Sequence, residues 1–353
     1  MQIGWIQVVE FRNYRTLSWT PAARLNILSG PNAQGKTNLL EALAVLLTGR
    51  SFRTPRLAEM ARWGAATAAV AGEILRADAR RTVRRTLTRR EDGVWHADGD
   101  ACDWARAIAF GWQDLEIVNG PPAARRNFID GFAARLYPSH LATLLRYRQI
   151  VARRNRLLQT RDARPEFAAR LAPWNEQLAV TGMELIDRRR RAAAALQTEL
   201  ARVYPALAGA SHKVEIRYRT ALGEASEPGA LLAAVERARR EELRRAQTLV
   251  GPHRDDLTIE IDAVDARAFG SRGQQRLLAL ALRLAEVLPV TEAVGTAPVL
   301  LLDDALSELD PEVRGRVLGE IGGAEQVFLT SPEPLLVEGA AGFSVNGGSI
   351  TAA

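Results

Sequence analysis

The chain has 353 residues, 47% hydrophobic and 25% charged, an ordinary globular composition that allows a full core and excludes wholesale disorder. A single cysteine, Cys102, excludes an internal disulfide framework and a cysteine-rich zinc site within one chain. No apolar run is long enough to span a membrane, and the first residues lack the order of a secretory signal, so the expected address is the cytoplasm. The net charge of +6 favours polyanionic partners, nucleic acid first. Only Lys36 and Lys213 are lysines and every other cation is arginine, as a GC-rich coding bias produces. A lysine at a motif position is conspicuous against that background, and Lys36 holds one.

Residues 3–11 read as a strand, and a second short strand follows at 25–28. A glycine loop comes next, then an apolar helical stretch at 38–47. Residues 66–90 read as antiparallel strands, and the arginine-laden later ones (Arg80, Arg81, Arg84, Arg85, Arg89, Arg90) suit an edge or exposed ribbon. Leu141, Leu144, Leu145, Val151 and Leu158 mark one helical stripe. Leu178, Leu185, Ala192, Leu196, Leu200 and Val203 mark another. Pro165 and Pro173 lie between them, so an antiparallel helix pair with a proline-containing break is expected. A strand at 213–219, a helix at 229–247, a strand at 257–261 and a helix at 274–288 follow, and then the apolar strand Val299-Leu300-Leu301-Leu302. The tail from Gly339 is rich in small residues and is expected to be weakly ordered.

Gly30-x-x-x-x-Gly35-Lys36-Thr37, between strand and helix, is a Walker A loop. The backbone N–H groups of such a loop, Asn32 among them, point inward at phosphate oxygens. The helix N-terminus behind adds positive potential. Lys36 is expected to reach the β- and γ-phosphates and Thr37 to hold Mg²⁺. The apolar run ending in Asp303-Asp304 is a Walker B strand. It delivers Asp303 to the Mg²⁺ and sets Asp304 where a water-polarising base is wanted. Asp is one methylene shorter than Glu, so hydrolysis is expected to be slow.

The two motifs are too far apart for a compact Ras-like domain, and no Asn-Lys-x-Asp guanine reader is present, which favours ATP. Ser271 can cap the following helix with Gln274 three residues on. The same Ser271-Arg272-Gly273-Gln274-Gln275-Arg276 segment reads as an ABC-type signature whose serine, glycine and helix N-terminus meet the γ-phosphate held by a second protomer. Ser307-Glu308-Leu309-Asp310 takes the place of a D-loop, Thr330 the place of a γ-phosphate sensor, and Gln113 that of a Q-loop residue. The fold class expected is α/β, an ABC-type P-loop ATPase head with an inserted, mainly helical arm. Its parts are 1–133 with Walker A, 134–248 as the arm, and 249–353 with signature, Walker B and D-loop.

Seven segments spread in order over residues 11–310 resemble the RecF family, of the SMC/Rad50 branch of ABC ATPases. They are FRNY (11–14), GPNAQGKTNLLEA (30–42), GRSFR (49–53), PPAARRNFID (121–130), LVGPHRDDL (249–257), SRGQQRLLALALRLAE (271–286) and LLLDDALSELD (300–310). Two departures stand out: Arg272 replaces the family's usual glutamine, and Trp112-Gln113 replaces its usual Pro-Glu. The resemblance implies an ATP-dependent homodimer that binds DNA, works with RecO and RecR, and helps load RecA at gaps in replication repair and the SOS response. It also adds Asn13 to the nucleotide-contacting residues.

A transporter ATPase would carry Leu-Ser-Gly-Gly-Gln and a glutamate after Walker B, and this chain has neither. Other SMC-type heads insert far longer coiled coils. Candidate DNA contacts are Arg80, Arg81, Arg125, Arg126, Arg153 and Arg154, although each run also reads as a solvated helix face.

Overall fold

The computed structural model describes residues 1–160 and 166–353. They form two compact units. The first comprises Met1–Leu115, Val203–Ser211 and Arg272–Ala353, and the second Glu116–Arg202 and His212–Ser271. The second unit therefore begins before, and ends after, the expected 134–248 arm, because the segments flanking that arm pack with it. Among the described residues, no helix is long and apolar enough to cross a membrane.

In chain order the strands are β1 (Gln2–Phe11), β2 (Tyr14–Trp19), β3 (Leu25–Ser29), β4 (Thr67–Arg76), β5 (Ala79–Arg89), β6 (Trp95–Gly99), β7 (Ala107–Phe110), β8 (Val214–Arg219), β9 (Asp256–Ile261), β10 (Val264–Asp265), β11 (Val299–Leu302), β12 (Val327–Ser331), β13 (Ala340–Asn346) and β14 (Ser349–Ala352). The first unit holds a six-stranded sheet in the order β14-β13-β3-β12-β11-β7, parallel from β13 to β7. β11 and β12 are buried along their whole length, and β3 over all but its first residue, as strands covered on both faces require. A second, antiparallel sheet runs β2-β1-β4-β5-β6. Helix Lys36–Thr48 contacts strands of both sheets, which is why it is apolar nearly all round.

Several expectations change here. β5 is not an edge strand; β6 covers it, and its arginines share the strand with inward-facing Val83 and Leu87. Alternation lets one face pack while the other carries charge. The tail from Gly339 is ordered: β13 pairs with β3, and β14 closes a hairpin on it. The expected helix at 274–288 is two helices, Arg272–Leu284 and Val287–Val294.

The second unit is mainly helical, with a small sheet β10-β9-β8. Helix His140–Gln159 lies antiparallel to helix Glu166–Ala208: Thr143 meets Glu184 and Arg188, and Arg154 meets Asn175. Their seam buries Leu144, Tyr147, Ile150, Leu178 and Leu185, while Leu145, expected on the stripe, is exposed. Pro173 does not break the second helix, and Pro165 lies outside the described residues.

Candidate nucleotide-binding site

Four neighbouring parallel strands end on one edge of the six-stranded sheet. β3 leads into the glycine loop, β11 into Asp303-Asp304, β12 ends at Thr330-Ser331, and β7 leads into the turn bearing Gln113. The ladder sets Ile27 against Leu329, Leu329 against Leu302, and Leu302 against Phe110, so these ends lie level. The carboxyl edge of such a sheet is where α/β folds bind ligands.

The loop's shape depends on glycine at two positions. Gly30 and Gly35 have φ of +146° and +114°. A Cβ on Gly35 would lie 2.5 Å from Asn13 Nδ2, and one on Gly30 2.4 Å from the Val345 carbonyl oxygen. Tyr14 braces the loop from below, its hydroxyl donating to the Gly35 carbonyl at 3.0 Å. Asn13 Nδ2 donates to the Gln34 carbonyl at 3.1 Å, and Asn38 donates to Asn13 Oδ1 at 2.8 Å. Asn13 thus shapes the loop, and Asn32 is exposed at its tip.

Lys36 is only 6% exposed and turns back on the loop. Its Nζ donates to the carbonyls of Gly30 at 2.6 Å and Pro31 at 3.0 Å, and it has no carboxylate partner among the described residues. Thr37 Oγ1 lies 2.8 Å from both oxygens of Asp303, 266 positions along the chain. Burial pushes the Asp303 carboxyl above its ordinary range; hydroxyls of Thr37 and Thr330 oppose the shift and the charge of Asp304 adds to it. The site is therefore a buried ammonium and a buried carboxylate, neither neutralised by the other. Its oxygen donors, one hydroxyl and one carboxylate, are the hard type that suits Mg²⁺.

Asp304 has φ of +48°, a left-handed conformation that Asp tolerates better than most residues. Its N–H donates to Thr330 Oγ1 at 2.8 Å, and the Thr330 hydroxyl lies 2.9 Å from Asp303 Oδ1. Its carbonyl accepts from Arg276 Nη2 at 2.6 Å and from Ser307 Oγ at 2.8 Å. Thr330 is thus tied to both aspartates. Ser271, Gly273 and Gln274 are exposed at the start of helix Arg272–Leu284. Gln113 is half-buried in the turn after β7.

Sequence reasoning missed the support beneath the loop. Glu41, fully buried, accepts from Arg12 Nε and Nη2, both at 2.7 Å, from Ser51 Oγ at 2.5 Å and from Arg53 Nη1 at 3.2 Å. These residues belong to the segments 11–14, 30–42 and 49–53, so the signal was present without its meaning. Arg276, within the 271–286 segment, likewise shows its role only through its contacts with Asp304 and Ser307.

The candidate DNA contacts separate. Arg125 is buried and donates to both Asp256 oxygens, at 2.7 and 2.8 Å. Arg154 is fully buried on Glu242 at 2.6 Å. Neither reaches a surface on which DNA could lie. Arg80, Arg81 and Arg153 are exposed and Arg126 is half-buried.

A glycine loop after a parallel strand, its threonine on the Walker B aspartate, and a signature helix later in the chain define an ABC-type P-loop ATPase head. The model of the RecF/RecN/SMC N-terminal domain family matches residues 2–344. The chain is 36% identical to the DNA replication and repair protein RecF of Heliobacterium modesticaldum, over 94% of this chain and 92% of that one. It is also 36% identical to RecF of Desulforudis audaxviator, over 99% of both. This chain belongs to the RecF family. Among solved structures, the recombination mediator protein RecF with ATP, of the RecFOR pathway, superposes with a TM-score of 0.88 at 28% identity, covering 100% of this chain and 97% of that one. The Smc head of Pyrococcus furiosus, at 16% identity and a TM-score of 0.55 over 100% of this chain and 96% of that one, shares the fold.

Proposed function

We propose that this chain is a DNA-binding ATPase of replication and recombinational repair, a slow enzyme whose nucleotide state switches its self-association. The observation that carries this reading is the open charge cluster of Lys36, Thr37 and Asp303, assembled from motifs 266 residues apart. The likeness to RecF with ATP supports the nucleotide.

Gly30, Asn32 and Gly35 form the cradle for the triphosphate, with Asn13 holding its shape. Lys36 leaves the Gly30 and Pro31 carbonyls for the β- and γ-phosphates. Thr37 and Asp303 would hold Mg²⁺, which when bound neutralises phosphate charge. Asp304 orients the attacking water and accepts its proton, and its short reach keeps turnover slow. Thr330, already on both aspartates, registers the γ-phosphate. Ser271, Gly273 and Gln274 complete the site of a second copy, so ATP joins two chains and hydrolysis releases them.

DNA is held by exposed arginines through its phosphates, without sequence readout. RecO and RecR are the expected partners, with RecA loading downstream; the RecFOR pathway of the solved relative supports the first two.

The test is sedimentation with and without ATP. Wild type is expected to dimerise with ATP alone, while Ser271→Arg binds ATP normally and stays monomeric. A wild type that remains monomeric with saturating ATP, or a Ser271→Arg chain that dimerises, contradicts the switch.

A further inference from the structure

Two of the sequence segments take no part in the nucleotide site. Residues 121–130 and 249–257 instead meet inside the second unit. Arg125 is paired with Asp256, and Arg126 Nη1 donates to the Asp255 carbonyl at 3.0 Å. Arg189 donates to both Asp130 oxygens, at 2.7 and 2.8 Å, and to the Pro252 carbonyl at 2.6 Å. The joined segments border an open cavity of about 220 Å³, whose lining includes Arg126, Asp130, Tyr147, Arg148, Arg189 and His253.

The charge around this cavity does not cancel. Asp130 neutralises Arg189. His253 Nε2 faces the Thr248 carbonyl at 3.1 Å, which can only accept, so Nε2 carries the proton. Nδ1 then accepts from the Tyr147 hydroxyl at 2.7 Å, and the ring is neutral. Arg126 and Arg148 remain, and neither has a carboxylate partner among the described residues. Arg126 spends one of its five donors on a carbonyl. Helix His140–Gln159, which bears Arg148, contains no acidic residue. Arg146, Arg153 and Arg156 are exposed along it at spacings of seven and three, the first two about 140–160° round the helix from Arg148.

We propose that this cavity is a pocket for a DNA backbone phosphate, held by Arg126 and Arg148. The proposal rests on the DNA-binding reading above. Guanidinium forks match phosphate oxygens in pairs. An acidic peptide could enter the same cavity. The acid-free helix, however, carries exposed arginines on its other face too, so its positive field is broader than one carboxylate needs, which suits a repeating polyanion better.

The test is duplex binding with ATP over a series of salt concentrations, in wild type, Arg126→Gln, Arg148→Gln and the double variant. Each thermal melt is compared with wild type, and lysine at both positions restores charge without the fork. The slope of log affinity against log salt is expected to fall by about one in each single and about two in the double variant, equally for unrelated sequences. The lysine pair is expected to recover most of that slope. A double variant that keeps the wild-type slope overturns the pocket and leaves DNA binding standing. A double variant that loses polyglutamate binding but not DNA affinity overturns it in favour of a protein ligand. A wild type that binds ATP but no DNA removes the DNA-binding reading and the pocket together.

Discussion

Two buried charge clusters in this molecule are built on opposite plans. In the second unit, Arg189 grips both oxygens of Asp130, His140 adds a contact at 3.0 Å, and Arg154 sits on Glu242. In the first unit, Lys36 and Asp303 are 6% and 7% exposed, yet neither touches an opposite charge. Burial alone would raise Asp130, but His140 and Arg189 overturn it and hold the carboxyl below its ordinary range. Asp303 lacks such a partner, and burial raises it. A buried charge costs several kcal/mol unless paired. The closed cluster is therefore part of the architecture, and the open one is completed by a ligand. The same contrast sorts the arginines, since identical side chains serve as core at 154 and as surface at 148.

The contrast breaks most visibly at Arg189. Arg189→Met strands Asp130 inside the second unit and is expected to cost about 3–5 kcal/mol, read by denaturant unfolding. A loss under about 1 kcal/mol would mean the cluster is not self-neutralised.

His253 sharpens the comparison through pH. Burial lowers its ring to about 4, against about 6.5 in an unfolded chain. Because the folded value is depressed, its contribution is whole above about pH 6.5 and is lost as pH falls toward 4. The full loss amounts to about 3 kcal/mol. His253→Gln keeps a donor and an acceptor without titrating, so stability measured between these limits should vary less with pH. An unchanged pH dependence would place the titration elsewhere.

The smallest effect belongs to the exposed face of β5. Arg81→Gln should alter unfolding free energy by no more than about 0.5 kcal/mol, and a larger change would mean this arginine has a structural partner.

The nucleotide loop was legible because its information is local. Gly30, Gly35, Lys36 and Thr37 encode their own geometry through spacing and left-handed backbone, and the apolar run of β11 announces a strand covered on both faces. What stayed hidden depends on distant partners. Arg125 finds Asp256 131 residues away, and Arg154 finds Glu242 88 residues away. Nothing in an arginine's neighbours along the chain reports such a partner. Glu41 beneath the loop was invisible for the same reason. In sequence β13 reads as a loose tail because its small residues carry little hydrophobic signal; parallel pairing with β3 orders them.

The decisive measurement is made on Lys36→Met and wild type side by side: ATP affinity and unfolding free energy without nucleotide. Methionine keeps the buried stem and removes the charge. Without nucleotide the variant is expected to be at least as stable as wild type, because the unneutralised buried charge is gone, with ATP affinity falling about tenfold to a hundredfold, the worth of a charge-assisted hydrogen bond or two. The rise in melting temperature that ATP confers on wild type should shrink accordingly. A variant that keeps its ATP affinity while losing several kcal/mol of stability would contradict this, and would make Lys36 a core residue like Arg154.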